Sequence, residues 1–240
     1  MSSDALVIRQ LLAGRDFARA DPIATQMVNF AYLVGSARSR EAVLIDPAWD
    51  VGSLLACAEE DGFRVVGALA SHDHPDHVGG DLFGHQVEGV AEFLARTGAP
   101  VYVHEREADG VRKLTGADTT DLRRVADGET LDLDGVRIEF LHTPGHTPGS
   151  QCFYVNRQAL LSGDTLFVGG CGRVDLPGGD DEELYRSLND RLGKLPGATV
   201  LYPGHDYGSV PSRTLREERQ QNLALVAPTL EHWRRFLGRR

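Results

Sequence analysis

Cysteine is scarce in this chain. Cys57, Cys152 and Cys171 are odd in number and far apart, so no disulfide framework is expected. No apolar run is long enough to span a membrane. The amino terminus, Met1-Ser2-Ser3-Asp4-Ala5-Leu6, lacks a basic segment followed by an apolar stretch. Positive charge is also short. The formal net charge is −10, which argues against a nucleic-acid or anionic-membrane partner and means that an anionic substrate would need a local basic patch. The Gly-x-Ser-x-Gly turn that presents a serine nucleophile is missing, as are sequence repeats and low-complexity linkers. The expectation is a cytoplasmic, soluble protein, monomeric or homodimeric, acting on a small molecule. A hydrophobic content of 41% over 240 residues is enough for a full-sized core in one domain or two.

What the chain does have is Ser71-His72-Asp73-His74-Pro75-Asp76-His77-Val78. Three imidazoles and two carboxylates in six residues have few uses other than holding a metal. The run follows Arg64 to Ala70, an apolar, β-prone segment of strand length. The ligands therefore belong on the loop past a strand's carboxyl end. Pro75 disfavours a helix through that loop. Three further candidates follow: His146 in His142-Thr143-Pro144-Gly145-His146, Asp164 in Leu161-Ser162-Gly163-Asp164-Thr165, and His205 in Tyr202-Pro203-Gly204-His205. Each follows or ends a strand-like segment and is flanked by Gly or Pro, which make tight turns and allow close backbone approach.

Strands are expected over Ala5–Leu12, Val28–Val34, Ala42–Ile45, Arg64–Ala70, Pro100–His104, Gln151–Val155, Ala159–Leu161 and Thr199–Tyr202. A hairpin is expected over Thr130–Leu141, turning at Asp134-Gly135. Helices are expected over Leu54–Asp61, Val87–Thr97, Asp181–Leu192 and Leu230–Leu237, and from the capping-box pair Thr214 and Glu217 to about Leu225. Periodicity alone gives an α/β or α+β protein.

The ordered set His-x-His-x-Asp-His, then His, Asp and His, from about Asn29 to Tyr207, resembles the metallo-β-lactamase fold superfamily. The resemblance implies an α+β class fold: an αββα sandwich of two mixed sheets flanked by helices, one domain over residues 1–240 with carboxyl-terminal helices from about residue 212. It implies a first metal site of His72, His74 and His146, a second of Asp76, His77 and His205, and Asp164 as the bridge. Asp76 and His77 carry the catalytic role in that pattern. Two Zn(II) are expected, with Fe or Mn also compatible with nitrogen and carboxylate ligands. Paired metals hold a bridging hydroxide and polarise a scissile carbonyl. Asp46, in Ile45-Asp46-Pro47, matches an early strand-end aspartate and is expected to orient the metal loop; otherwise it is a plain turn residue. His85, His104, His142 and His232 read as surface or packing histidines, and Cys171 as a packing residue near the cleft.

Two branches fit. Gly163-Asp164-Thr165-Leu166-Phe167 with Gly170-Cys171-Gly172 resembles glyoxalase II, a dinuclear hydroxyacylglutathione hydrolase. Ser39 to Pro47, Gly170 to Asp175 and Tyr202 to Gly208 resemble the persulfide dioxygenases, which use a single Fe(II), here on His72, His146 and Asp164. Both handle glutathione derivatives, and Arg173 and Tyr207 match positions that hold that moiety; the plain alternative for Arg173 is a surface ion pair. Two departures stand out. Gly79 to Gly116 is longer than in persulfide dioxygenases and carries a helix that could overhang the cleft. The carboxyl end is shorter than in glyoxalase II, leaving Arg213, Arg216 and Arg219 as the basic residues of that region. The reading is a metal-dependent hydrolase of a thioester or related ester, with a mononuclear iron persulfide dioxygenase as the alternative, and a lactonase or non-catalytic metal scaffold behind both.

Overall fold

A computed structural model describes residues 5–118 and 120–236. The first half runs β1 (Leu6–Leu12), α1 (Pro22–Met27), β2 (Phe30–Ser36), β3 (Glu41–Ile45), α2 (Val51–Glu60), β4 (Arg64–Ala70), α3 (Pro75–Val78), β5 (Gly80–Leu82), β6 (His85–Val87), α4 (Val90–Thr97), β7 (Val101–His104), α5 (Ala108–Thr115) and β8 (Leu122–Val125). The second half runs β9 (Thr130–Asp132), β10 (Arg137–His142), β11 (Gln151–Val155), β12 (Ala159–Leu161), β13 (Leu166–Phe167), β14 (Gly170–Cys171), α6 (Asp181–Arg186), β15 (Val200–Tyr202), β16 (Arg213–Thr214), α7 (Leu215–Gln221), α8 (Leu223–Val226) and α9 (Leu230–Phe236).

Two six-stranded sheets result, ordered β1-β2-β3-β4-β7-β8 and β16-β15-β12-β11-β10-β9. Both are mixed. β3, β4, β7 and β8 pair in parallel while β1–β2–β3 is antiparallel. In the second sheet β12–β15 is the parallel pair. Strand alternation explains the layering. On β2, Phe30, Tyr32 and Val34 enter the core between the sheets, where Ile138, Phe140, Phe153 and Val155 of the other sheet meet them. Ala31 and Leu33 point the other way, into a core shared with Leu54 of α2, Phe93 of α4 and Val111 of α5. The second sheet turns Leu141, Cys152, Tyr154 and Leu160 outward against Leu184, Leu215, Leu225 and Trp233. The outcome is the expected sandwich of two mixed sheets with helices on both outer faces.

Local differences have local causes. Val87 pairs in β6 rather than opening a helix, because Phe83 and Gly84 turn the chain with φ of 54° and 86°. Asp50 caps α2 earlier than expected by accepting the Ser53 N–H at 2.9 Å. The Asp181–Leu192 helix leaves α-geometry after Arg186 and continues as a π-turn over Ser187–Arg191. Asn222, with extended backbone, divides α7 from α8. The last helix is described to Phe236, so Leu237 lies outside the described residues. Elements not expected from the sequence are α1, α3, α5 and β8, and the short strands β5, β6, β13, β14 and β16.

Candidate metal centre

Pro75 does not bar a helix in the ligand loop. It occupies the first position of α3, where its missing N–H costs nothing, with His74 as the N-cap. That single turn places Asp76 and His77 side by side and buried. The other candidates arrive from the second sheet: His146 after β10, Asp164 after β12 and His205 after β15. Backbone hydrogen bonds stitch these loops together, from Gln151 N–H to the Ser71 carbonyl (2.9 Å), from Gly204 N–H to the Gly163 carbonyl (2.8 Å) and from Phe30 N–H to the Gly204 carbonyl (2.8 Å).

All seven expected residues converge. Three groups have ligand atoms within 4.8 Å of one another: His72, His74 and His146; His72, His77 and Asp164; Asp76, His77 and His205. His74 Nδ1 lies 3.0 Å from His72 Nε2 and 3.1 Å from His146 Nε2. His77 Nε2 lies 3.2 Å from His205 Nε2 and 3.3 Å from Asp164 Oδ1. Asp164 Oδ2 lies 3.4 Å from His205 Nε2 and 3.6 Å from His146 Nε2. Asp164 thus faces both clusters.

The outward nitrogens are held from behind. His146 Nδ1 donates to the Arg173 carbonyl at 2.7 Å, and His205 Nδ1 to the Met27 carbonyl at 2.8 Å. His77 Nδ1 meets Asp46 Oδ2 at 3.0 Å. Each contact holds the ring from its Nδ1 side and turns Nε2 toward the cluster. Asp46, at φ 51°, also accepts the Ser71 N–H and hydroxyl, both at 2.7 Å. It joins the end of β3 to the loop that carries His72 and His77.

The electrostatics separate the two clusters. Burial, then the neighbouring imidazoles His77, His74 and His146, holds His72 well below its usual range. Burial, then His146, pushes His74 down to about 4. These rings are neutral and offer lone pairs. Burial acts against charge at His77 too, but Asp76 and Asp164 beside it raise it well above its usual range. Asp164 is held low despite burial, by His205 and His77. Its Oδ1 is buried and accepts no hydrogen bond. A fully desolvated carboxylate oxygen without a donor, facing converging imidazole nitrogens, fits a cation better than a packing role. The donor set, nitrogen and carboxylate oxygen without thiolate, suits Zn, Fe or Mn.

Two supporting residues were not foreseen. Asn29 Nδ2 donates to Asp76 Oδ2 at 3.0 Å. Glu107, just before α5, is buried and accepts from the Asp73 N–H at 2.9 Å, the Thr147 hydroxyl at 3.0 Å and the Gly149 N–H. It bridges the His72–His74 loop to the His146 loop. A carboxylate more than thirty positions from either loop carries no local signal of such a role.

Above the centre lies a cleft of about 760 Å³, into which Arg173 and Tyr207 project. Tyr207 stacks on His205 with centroids 4.6 Å apart and planes at 6°. Burial, then Asp164, pushes its phenol up to about 12. Arg173 is engaged by Asp175 at 2.7 and 2.8 Å. Arg213 pairs with buried Glu218 at 3.1 Å, and Arg219 donates to the Leu195 carbonyl. Burial pushes the Cys171 thiol up to about 12, which suits packing and not nucleophilic attack. His104 and His142 stack on each other, 4.1 Å apart, and are not among the clustered ligands.

Comparison with known proteins agrees with this geometry. The sequence is 33% identical over 228 residues to the human mitochondrial persulfide dioxygenase ETHE1, covering 92% of this chain and 82% of that protein. It is 38% identical over 182 residues to a hydroxyacylglutathione hydrolase of Polaromonas sp., covering 75% of this chain and 62% of that one. The crystal structure of ETHE1 from Myxococcus xanthus superposes with a TM-score of 0.77 at 27% identity, covering 97% of this chain and 90% of that chain. Residues 24–205 match the pattern of the metallo-β-lactamase superfamily, a span that holds every clustered ligand, and the chain belongs to that superfamily.

Proposed function

We propose that the protein is a metal-dependent hydrolase of a thioester or related ester, in the manner of glyoxalase II. The observation that carries this reading is the completeness of both ligand clusters around Asp164. In this reading His72, His74 and His146 would hold one ion and Asp76, His77 and His205 the other, with Asp164, which faces both groups, as a shared ligand. Two divalent ions there, zinc first among the candidates, supply Lewis acidity toward a carbonyl and an activated water at neutral pH. The chain's own part is to aim those groups. Asp46 and the carbonyls of Met27 and Arg173 lock the imidazole rings, and Asn29 steadies Asp76. Tyr207 shields His205 from one side. The cleft admits the acyl group and its thiol carrier, glutathione being one candidate.

Likeness to a persulfide dioxygenase over 92% of this chain favours a second reading. There a single Fe(II) rests on His72, His146 and Asp164, and the other cluster has a supporting role. One pair of assays separates them. Zinc-loaded protein is screened against thioesters and lactones, and anaerobically iron-loaded protein is given glutathione persulfide while oxygen uptake is followed. Under the hydrolase reading, thioester turnover is found, and Asp76→Ala or His205→Ala abolishes it. Stoichiometric oxygen uptake that survives Asp76→Ala but is lost in His146→Ala would overturn it in favour of the dioxygenase.

A further inference from the structure

The wall of the cleft built from the β5–β6 hairpin and α5 has a composition that the ligand chemistry does not require. β5 and β6 form a short hairpin that packs against α5, so closely that a Cβ on Gly80 would lie 3.0 Å from the Leu114 carbonyl. This wall presents Leu82 and Phe83 from the hairpin and Lys113 and Leu114 from α5. Phe83, at the hairpin tip, is 99% exposed. Together with Leu82 and Leu114 it forms an apolar patch on the wall of a cleft, the kind of surface that marks a ligand groove.

The charge on this wall is equally specific. The cations lining the cleft are Lys113 and Arg173. Arg173 is held by Asp175, whereas Lys113 has no ion pair or hydrogen bond among the described residues. Asp109, one turn earlier on α5, is paired with Arg124 at 2.8 Å, and two acids of the same cleft wall are otherwise engaged. Asp81 accepts the Gly84 N–H at 3.1 Å within the hairpin turn, and the Asp73 carboxylate faces Gly110, whose added Cβ would fall 1.8 Å from it. In a chain of net charge −10, an unpaired lysine beside three apolar side chains is a selective feature.

We propose that this wall is a binding subsite for an amphipathic anion: an apolar chain laid against Leu82, Phe83 and Leu114, with a carboxylate or phosphate of the same molecule reaching Lys113. The inference deepens the thioester reading above and rests on it for the identity of the reacting bond. It moves the anion contact from Arg173, where the resemblance placed it, to α5.

The test is calorimetric binding to zinc-loaded protein, using thioethers that contain no scissile acyl bond. S-methylglutathione and S-hexylglutathione vary the apolar chain, and S-hexylphosphopantetheine replaces the carboxylates by a phosphate. At about 0.8 kcal/mol per buried methylene, the hexyl group should tighten binding by at least about tenfold over methyl, and Phe83→Ala should remove most of that gain. Lys113→Met should weaken the hexyl ligand by about tenfold, as loss of a charged hydrogen bond does. Arg173→Met, and Arg112→Met on the same helix, should each change it by less than roughly twofold, as exposed ion-pair residues do. The tighter of the two hexyl ligands identifies the anion as carboxylate or phosphate. The proposal is overturned if methyl and hexyl ligands bind alike, if Arg173→Met weakens binding more than Lys113→Met, or if neither hexyl ligand binds. Because no bond is broken, absence of thioester turnover with this binding pattern intact would refute the hydrolase reading alone.

Discussion

Removal of the Glu107 carboxylate tests whether the ligand loops are held from outside the ligand set. Three donors converge on it, the N–H groups of Asp73 and Gly149 and the hydroxyl of Thr147. In Glu107→Ala the Thr147 hydroxyl keeps a partner, since it lies 2.7 Å from the Ser150 hydroxyl. The two N–H groups do not. Leaving two such donors unsatisfied costs about 2–6 kcal/mol, less where water enters the space. The Asp73 N–H lies between His72 and His74, and Thr147 follows His146, so the loss falls on all three residues of one cluster. Removing partners that orient ligands lowers metal affinity about 10–100-fold. Glu107→Gln keeps one acceptor oxygen but turns an NH2 group toward the donors, so an intermediate loss is expected. Two measurements check this: urea unfolding of the metal-free protein by circular dichroism, and zinc affinity by competition with a chromophoric chelator. A Glu107→Ala protein with lowered stability but two zinc sites of unchanged affinity would refute the bridging role and leave Glu107 as a packing residue.

Four further outcomes follow from the same geometry. Gly204→Ala places a Cβ 2.4 Å from Asp164 Oδ1, so overpacking should cost about 1–3 kcal/mol and displace Asp164, read as zinc content below that of the parent after identical loading. Asp46→Asn loses one of the acceptors used by Ser71 and His77, and zinc affinity at the Asp76–His77–His205 cluster should fall about 10–100-fold, with unchanged affinity counting against the role given to Asp46. His104 is buried against His142, and burial, then His142, pushes it from 6.5 down to about 4. As pH falls from 6.5 to 4 the unfolded chain takes up this proton first, so stability is lost across that window by about 3 kcal/mol at most. His104→Phe should show a shallower acid limb in urea midpoints, and an identical limb would place the acid sensitivity elsewhere. Chelation of the loaded protein should abolish turnover under either functional reading, whereas turnover that survives complete metal removal would exclude both.

The clustered histidines and aspartates were legible because their signal is local. Four of the seven sit within one run and the other three directly follow a glycine, and strand alternation told which loops end at a sheet edge. The sheets were legible for a related reason: Phe30, Tyr32 and Val34 face one core and Ala31 and Leu33 the other, so the pattern reads as a strand buried on both faces. β8, in contrast, is Leu122-Arg123-Arg124-Val125 with both arginines exposed. An edge strand can carry charge on its central residues, and such charge protects it from pairing with another chain, so its composition resembles a loop.

α5 shows most clearly why the supporting shell was hidden. Its sequence, Ala108 to Thr115, contains Gly110 in the first turn, and a glycine within a helix costs up to about 1 kcal/mol against alanine, which weakens any helical reading. The structure gives the glycine a purpose: any side chain there would strike the Asp73 carboxylate, 1.8 Å from a Cβ. The residue that makes α5 unconvincing as a helix is the one that lets it lie against the metal loop. That approach sets Glu107 beneath the ligands and Lys113 in the cleft above them. The same inversion applies at Pro75, which reads as a helix breaker and acts as a helix start. In both cases the local rule holds, but the chain uses the exception where two segments must meet closely, and only the tertiary contact reveals which applies. Gly110→Ala therefore makes a sharper test of site architecture than of helix propensity. Propensity alone predicts a gain of about 1 kcal/mol, whereas the contact with Asp73 predicts a loss of stability together with weakened zinc binding at His72 and His74.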